Sequence, residues 1–138
     1  RQAVRMHSQV GATNPIHCTG LGKALLAFAP KDLVSRICAG TLERKTDNTI
    51  TDGAELLAEL ERIRVQGYAI DDVENEPGIR CVASPILNHE GVAIAAISLA
   101  GPEIRMTKDM ASTLGPRVAE VAGQLSAQVG FTRDLPSA

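Results

Sequence analysis

Two apolar segments joined by a short polar turn constrain the fold of this chain more than any other feature. Residues 79–87 and 92–99 are rich in Val, Ile and Ala, and the intervening Asn88-His89-Glu90-Gly91 is typical of a hairpin turn. We therefore expect two antiparallel strands here. Pro85 cannot donate a backbone hydrogen bond, so we place the first strand at a sheet edge or expect a bulge in it.

Three helices are predicted before this hairpin. Residues 20–29 predict the first, which stops at Pro30, and Asp32 is placed to cap a second helix that ends at Gly40. Asp52, with Glu55 three residues later, resembles the capping box of a third helix, which Gly67 is expected to end. The apolar faces are predicted to be Leu21, Ala24, Leu25 and Phe28 in the first helix, and Leu56, Leu57, Leu60 and Ile63 in the third.

The remaining elements complete an α+β pattern. Residues 3–10 alternate in polarity and predict a first strand, and residues 68–72 predict a short one. Residues 107–129 predict a closing helix with a kink or split at Gly115-Pro116. Its apolar stripe is predicted to be Met110, Leu114, Val118, Val121 and Leu125. This order of elements predicts an antiparallel sheet with helices packed on it.

The composition excludes several classes of function. The chain has 138 residues, which suits a single domain, and its 44% hydrophobic and 22% charged residues are globular values. No apolar run approaches the ~20 residues of a membrane-spanning helix. Cys18, Cys38 and Cys81 are too far apart in sequence for a typical zinc site and are typical of a reducing cytoplasm. A net charge of −2 argues against nucleic-acid binding by this chain alone.

Two segments could bind a ligand or an ion. Gly20 and Gly22 lie at the start of the first helix, where backbone N–H groups and the helix dipole favour an anion. A tight turn into a helix explains the same residues, and the spacing is not that of a nucleotide-binding loop. Residues 71–76 carry four acids, but their spacing does not match a calcium loop. We expect a solvent-facing acidic loop in which Asp71 alone turns inward.

Cys81 and Ser98 lie on the two strands of the hairpin. Cys81 follows Ile79 and Arg80 and precedes Val82, so we expect a buried, unreactive thiol; a nucleophilic thiol would need a cationic or His neighbour. Alternation places Ser98 on the same face as two alanines, at positions 96 and 100. Its hydroxyl therefore either lines a cavity or bonds a neighbouring group.

The ordered set of these segments resembles the C-terminal effector-binding domain of the IclR (isocitrate lyase regulator) family of bacterial transcription factors. The matching segments are residues 17–27, 49–64, 67–83 and 95–102, followed by the closing helix. The resemblance implies a GAF-like sensor domain with a sheet of about six strands. It also implies that this chain, expected to be one domain over residues 1–138, lacks the family's winged helix-turn-helix and the first elements of the sensor domain.

The resemblance also implies a pocket for a small organic acid. Met6 and Ile79 are implied as apolar walls, the Gly20-Leu21 turn as the backbone contact to a carboxylate, and Asp71, Cys81 and Ser98 as the polar lining. A second carboxylate beside Asp71 is unfavourable unless one is protonated, so we expect Asp71 to hold a ligand hydroxyl or to fix the backbone. Ala100 stands where the family often has a second serine, which disfavours a glyoxylate- or pyruvate-type ligand.

The function that the resemblance implies is sensing of a small organic acid and oligomerisation within a cytoplasmic regulator. A homodimer or homotetramer is implied, with operator DNA bound only by the separate N-terminal domain, and no catalysis, cofactor, metal or membrane contact is expected. One alternative is a GAF-fold enzyme that uses Cys81 as a redox or nucleophilic thiol, with Cys18 as its disulfide partner. A weaker alternative is a purely structural dimerisation domain.

Overall fold

The computed structural model of this chain describes residues 15–130, so the predicted strand at residues 3–10 and the predicted wall residue Met6 lie outside the described residues. Within that range the chain forms four helices and three strands. They are α1 (Gly20–Ala27), α2 (Lys31–Ala39), α3 (Gly53–Gln66), β1 (Ala69–Asp71), β2 (Ile79–Leu87), β3 (Ala93–Pro102) and α4 (Lys108–Gln128). The predicted α+β class is confirmed.

The described strands form one antiparallel sheet in the order β1-β2-β3, and its two faces are covered differently. On one face, Ala69 and Ala83 are fully buried in a core that they share with α1 and α3. On the other face, Val82 is fully buried against α4. This alternation along β2 fixes which side chains meet α1 and which meet α4.

Local sequence rules set most of the element ends. The side chain of Asp52 accepts a hydrogen bond from the backbone N–H of Glu55 at 3.1 Å, which confirms the predicted cap of α3. Gly67 ends that helix at φ 86°, a left-handed conformation that favours glycine. The hairpin turn is confirmed as well, because the N–H of Asn88 donates to the carbonyl of Val92 at 2.9 Å.

Asp32 is not the cap of α2, contrary to the prediction. The helix begins at Lys31, and Pro30 occupies the cap position, two residues before Asp32. The carbonyl of Pro30 accepts the N–H groups of Leu33 and Val34, so the proline that stops α1 also starts α2. Asp32 lies in the first turn instead, where its charge faces the positive end of the helix dipole.

Pro85 lies in the central strand of the sheet, so the predicted edge position of β2 is wrong. The physical reason is the shortness of β1, whose pairing ends at Ala69 opposite Ala83. Among residues 15–130, Pro85 therefore has a neighbouring strand on the β3 side only, where it lies opposite Ala96. The expected irregularity is present just beyond it, as a register shift between residues 86 and 87.

The closing helix is a single helix rather than two, and its buried stripe differs from the predicted one. Pro116 lies inside α4 but is exposed, as is Ser112, so the carbonyl that loses its N–H partner can be solvated. Gly115 packs on the ring of Tyr68, where any Cβ would overlap the ring. Mostly small residues therefore face the sheet, and the predicted Met110 and Val121 are nearly half exposed. The buried stripe is Ala111, Gly115, Val118, Ala122 and Ser126.

Candidate functional site

The first turn of α1 presents two backbone donors that no oxygen in residues 15–130 accepts. Thr19 caps the helix: its Oγ1 accepts the N–H of Gly22 at 3.0 Å and its carbonyl accepts the N–H of Lys23 at 2.9 Å. At the positive end of the helix dipole, the N–H of Gly20 is directed at the Sγ of Cys81, and the N–H of Leu21 remains without an oxygen acceptor in residues 15–130. The predicted helix start is confirmed, and the arrangement suits an anion.

Gly20 allows this turn to lie directly on the sheet. A Cβ built at Gly20 would lie 2.9 Å from the Sγ of Cys81 and 3.2 Å from the Cβ of Ala83. Real side chains do not approach so closely without displacing their neighbours. The absence of a side chain at Gly20 thus allows its backbone N–H to lie against the thiol of Cys81.

The sheet register brings three predicted polar residues onto this same face. Asp71 of β1 lies opposite Cys81 of β2, and Ser98 of β3 lies opposite Ala83, two residues further along β2. Asp71 and Cys81 are buried, whereas Ser98 is exposed on β3. The structure therefore collects Gly20, Asp71, Cys81 and Ser98 into one cluster, which we call the sheet cluster.

The other predicted site residues surround this cluster less closely. Ile79 is buried and shares its strand face with Cys81, as an apolar wall would. Leu21 lies in the first turn of α1 with its side chain 38% exposed, so its backbone N–H rather than its side chain is available to a ligand.

Lys23 is a central residue that the sequence reasoning missed. Its side chain is only 1% exposed, and its Nζ donates to the carbonyl of Ile70 at 2.7 Å and to both carboxylate oxygens of Glu74 at 2.9 and 3.0 Å. The predicted apolar face of α1 was therefore wrong in part, because α1 is covered by both the sheet and α3. The one signal was a lysine within an otherwise apolar helix. The buried residues of α1 are Gly20, Gly22, Lys23, Ala24, Leu26 and Ala27.

The acidic loop at residues 72–78 is not the solvent-facing segment that we expected. Asp71 turns inward as predicted, but Glu74 is also buried, at 5% exposure, because Lys23 neutralises it. The backbone N–H of Glu74 donates to Oδ1 of Asp71 at 2.7 Å. Asp72 points the other way and pairs with Arg80 at 2.9 Å, on the far side of the loop from the sheet cluster.

Three side chains of the irregular segment before α3 hold this loop through its main chain. Thr46 donates to the carbonyl of residue 73 at 2.6 Å, Asn48 to that of residue 72 at 2.9 Å, and Thr49 to that of residue 74 at 2.6 Å. We call Thr46, Asn48 and Thr49 the clasp. Val73 is held at φ 55°, a left-handed conformation that β-branched residues rarely adopt. The clasp therefore maintains a strained turn beside Asp71.

Burial perturbs the acids of the site. The pKa of Asp71 is raised to about 7, chiefly by burial and also by the charge of Glu74, while the hydrogen bond from the Glu74 backbone and the charge of Lys23 oppose the rise. The pKa of Glu74 is also raised by burial, against the opposing effect of Lys23. Asp71 therefore exchanges its proton near neutral pH.

Both buried thiols are held in the neutral form. Burial, followed by the charge of Asp71, raises the pKa of Cys81 to about 11, against opposing interactions with the Ser98 hydroxyl and the Gly20 backbone. Burial, followed by the charges of Asp71 and Glu74, raises the pKa of Cys18 to about 11. The ring of His17 is engaged with the carbonyl of Glu43 at 2.8 Å. The arrangement therefore does not generate a thiolate nucleophile.

A groove of about 290 Å³ between β3 and α4 includes Ser98 of the sheet cluster in its lining. A wider groove, about 520 Å³, lies away from the cluster, between the end of α3, β2 and α4. Its buried hydroxyls are already engaged: Ser84 donates to the carbonyl of Gly67 at 2.6 Å, and Ser126 accepts the N–H of Leu87 at 2.9 Å. Within residues 15–130, no three His, Cys, Asp or Glu side chains are grouped so that they could hold a metal ion. None of the four helices in this range is long and apolar enough to cross a membrane.

Comparison with known proteins identifies the family. The profile of the family described as bacterial transcriptional regulator IclR, C-terminal, matches residues 1–127. The HTH-type transcriptional regulator BhcR of Paracoccus denitrificans is 43% identical over 126 residues, which are 91% of this chain and 45% of BhcR. The chain thus spans about half the length of the curated relatives it matches, which are named as transcriptional regulators or repressors rather than enzymes.

Two solved structures carry the same fold. The crystal structure of the Thermotoga maritima IclR superposes with a TM-score of 0.85 at 36% identity, over 94% of this chain and 53% of that one. The inducer-binding domain of the PobR transcription factor from Acinetobacter, a double mutant in complex with 3-hydroxybenzoic acid, superposes with a TM-score of 0.75 at 28% identity, over 91% of this chain and 74% of that one. The family match and the close relatives together show that this chain belongs to the IclR family of bacterial transcriptional regulators, within its C-terminal domain.

Proposed function

We propose that this chain binds a small organic acid at the sheet cluster and so acts as the effector-sensing part of a transcriptional regulator. The observation that carries the proposal is the start of α1, where the N–H of Leu21 has no oxygen acceptor in residues 15–130 and the N–H of Gly20 lies against the thiol of Cys81, on the sheet face that also carries Asp71 and Ser98. A few convergent polar groups on an otherwise apolar surface are what a small-acid site needs.

The geometry favours an acid that also carries a hydroxyl group. The N–H groups at the start of α1 suit the carboxylate, while Asp71 and Ser98 suit a hydroxyl. The 3-hydroxybenzoic acid bound by the PobR domain has both groups. Ala100, next to Ser98 on the same face, supplies no second hydroxyl and leaves space, which supports a ligand larger than a two- or three-carbon oxo acid.

The thiol chemistry gives no support to the alternative of an enzyme built on Cys81. A thiol with a pKa of about 11 is almost entirely protonated near neutral pH. Lys23, which is buried in the same region, is already paired with Glu74. We assign Cys81 a role in lining the site.

Within the whole regulator, we place operator binding in a separate N-terminal winged helix-turn-helix and propose that the protein is a homodimer or homotetramer. The net charge of −2 on this chain supports an arrangement in which the sensor domain does not itself bind DNA. The family named above consists of transcriptional regulators, which supports a role in the control of transcription.

A thermal-shift screen tests the proposal. We expect 3-hydroxybenzoate to stabilise the chain, and a ligand at a hundred times its Kd should add about 2.7 kcal/mol. Benzoate, which lacks the hydroxyl, and 3-hydroxybenzyl alcohol, which lacks the carboxylate, are the matched controls. If no acid in a panel of hydroxy, oxo and aromatic acids shifts the melting temperature, the proposed function is wrong.

A further inference from the structure

We infer that an anionic effector binds this site together with one proton, which Asp71 takes up, because Lys23, the buried cation beside the site, is already paired with Glu74. The inference rests on the proposed function and deepens it, since it specifies how the site balances charge. It makes the sensor respond to pH as well as to the concentration of the acid.

The first step is that Lys23 has no donor left for an effector. An ammonium group has three hydrogens, and the three acceptors of Lys23 are the carbonyl of Ile70 and the two carboxylate oxygens of Glu74. Glu74 is fixed in turn, because its Oε2 also accepts the backbone N–H of Asp72 at 2.8 Å. Within the described site, the charges of this pair cancel.

The second step is that Asp71 remains as a buried acid with which no cationic side chain of residues 15–130 forms an ion pair. It is 5% exposed, and its side-chain hydrogen bond within those residues is the one that Oδ1 accepts from the backbone of Glu74. It lies opposite Cys81, against which Gly20 packs. An effector carboxylate held by the first turn of α1 thus enters the same desolvated space as the Asp71 carboxylate.

Two carboxylates in a desolvated site repel each other strongly unless one is protonated. The balanced step takes one effector anion and one solvent proton into the site. The proton forms an O–H bond on the Asp71 carboxylate, and the resulting carboxylic acid can donate a hydrogen bond to the effector. The net charge of the site is unchanged.

The neighbouring groups leave Asp71 as the acceptor of this proton. The thiols of Cys18 and Cys81 already carry their protons near neutral pH. Glu74 is held as a carboxylate by Lys23, and Asp72 is paired with Arg80 and Lys108 outside the cluster. The titratable and charged groups around Asp71 are Lys23 of α1, Cys18 before it, Cys81 of β2, and Asp72 and Glu74 of the loop. Two more distant charges affect these neighbours: Lys45 lowers the pKa of Cys18, and Glu59 of α3 raises that of Glu74. A pKa of Asp71 near 7 makes this protonation inexpensive at physiological pH.

The test measures the Kd of 3-hydroxybenzoate by isothermal titration calorimetry from about pH 5.5 to about pH 8.5, where this ligand is an anion. We expect the Kd to be nearly flat at the acid end and to rise towards tenfold per pH unit above about pH 7. Titrations in buffers of different ionisation enthalpy should show uptake approaching one proton at the alkaline end.

The Asp71→Asn variant should bind with little pH dependence, because the amide keeps a donor but cannot titrate. Asp72→Asn is the matched control, since the adjacent carboxylate lies outside the cluster, and it should keep the slope of the unaltered chain. A wild-type Kd that does not change with pH overturns the inference while leaving the proposed function intact. Failure of 3-hydroxybenzoate and of every other acid in the panel of the thermal-shift screen to bind at any pH contradicts the proposed function itself.

A measurement on the unaltered chain covers the case in which Asp71→Asn does not fold. The carboxyl carbon of Asp71 can be titrated by nuclear magnetic resonance with and without 3-hydroxybenzoate. The midpoint should move to higher pH when the acid is bound. An unchanged midpoint in the bound state refutes proton uptake by Asp71.

Discussion

Replacement of Lys23 by methionine should lower the free energy of unfolding of the chain by about 3–5 kcal/mol at neutral pH. The side chains of Lys23 and Glu74 are 1% and 6% exposed, so solvent does not screen the charge that remains on Glu74. The variant also leaves the carbonyl of Ile70 without its donor. Domains of this size have about 5–15 kcal/mol of stability, so the loss is a large share of the total.

The loss from Lys23→Met should depend on pH in a defined direction. Burial raises the pKa of Glu74, and Lys23 opposes that rise, so removing Lys23 raises the pKa of Glu74 in the folded state further. A carboxyl whose folded pKa exceeds its unfolded value destabilises the fold above the unfolded pKa, about 4.3, and the penalty grows until the folded pKa is passed. The deficit should therefore be largest at neutral pH and shrink as the pH falls towards that of the unfolded glutamate.

Urea denaturation followed by far-UV circular dichroism measures these differences. The double variant Lys23→Met with Glu74→Gln should recover part of the loss, because no buried charge remains unpaired. Lys45→Met is the control: Lys45 pairs with Glu43 at 3.4 Å, their side chains are 35% and 72% exposed, and its loss should cost at most about 1 kcal/mol. A Lys23→Met variant no less stable than this control would refute the reasoning.

Three further predictions concern the sheet cluster and the chain as a whole. Gly20→Val should abolish stabilisation by 3-hydroxybenzoate in the thermal-shift assay, because its side chain would occupy the space beside the Sγ of Cys81; unchanged affinity contradicts the anchor. Ser98→Ala should weaken binding of the same acid by about 0.5–1.5 kcal/mol in calorimetry with little change in stability, whereas the exposed Ser112→Ala on α4 should alter neither. Residues 1–138 alone should show no operator-specific binding in a gel-shift assay, and specific, salt-sensitive binding would refute this.

Features set by neighbouring residues could be predicted from the sequence. The hairpin follows from its polar turn, the start of α3 from Asp52, and its end from Gly67, because each depends on a few adjacent positions. The alternation that placed Ser98 with its two alanine neighbours is equally local, and the register places all three on one face. Asp71, Cys81 and Ser98 of the sheet cluster were found because polar side chains stand out within apolar strands.

Features set by distant partners could not be predicted in this way. Glu74 looked like a solvated acid because nothing near it in sequence shows that Lys23, 51 residues earlier, neutralises it. The buried face of α4 was misassigned because large apolar residues were preferred, whereas Gly115 and its small neighbours fit beneath Tyr68. Pro85 was placed at an edge because the length of β1, which ends before reaching it, cannot be read from β2.

The clasp has a consequence for how such a sensor can diversify. The clasp donates its hydrogen bonds to the main-chain carbonyls of residues 72–74, so these bonds do not depend on the side chains at those positions. The hydrogen bonds of the clasp therefore tolerate most substitutions in the turn itself. Glycine or asparagine in place of Val73 would even suit the left-handed conformation better. During evolution, the side chains bordering the site can therefore be substituted, and the effector specificity can change, while the main-chain framework that positions Asp71 is retained.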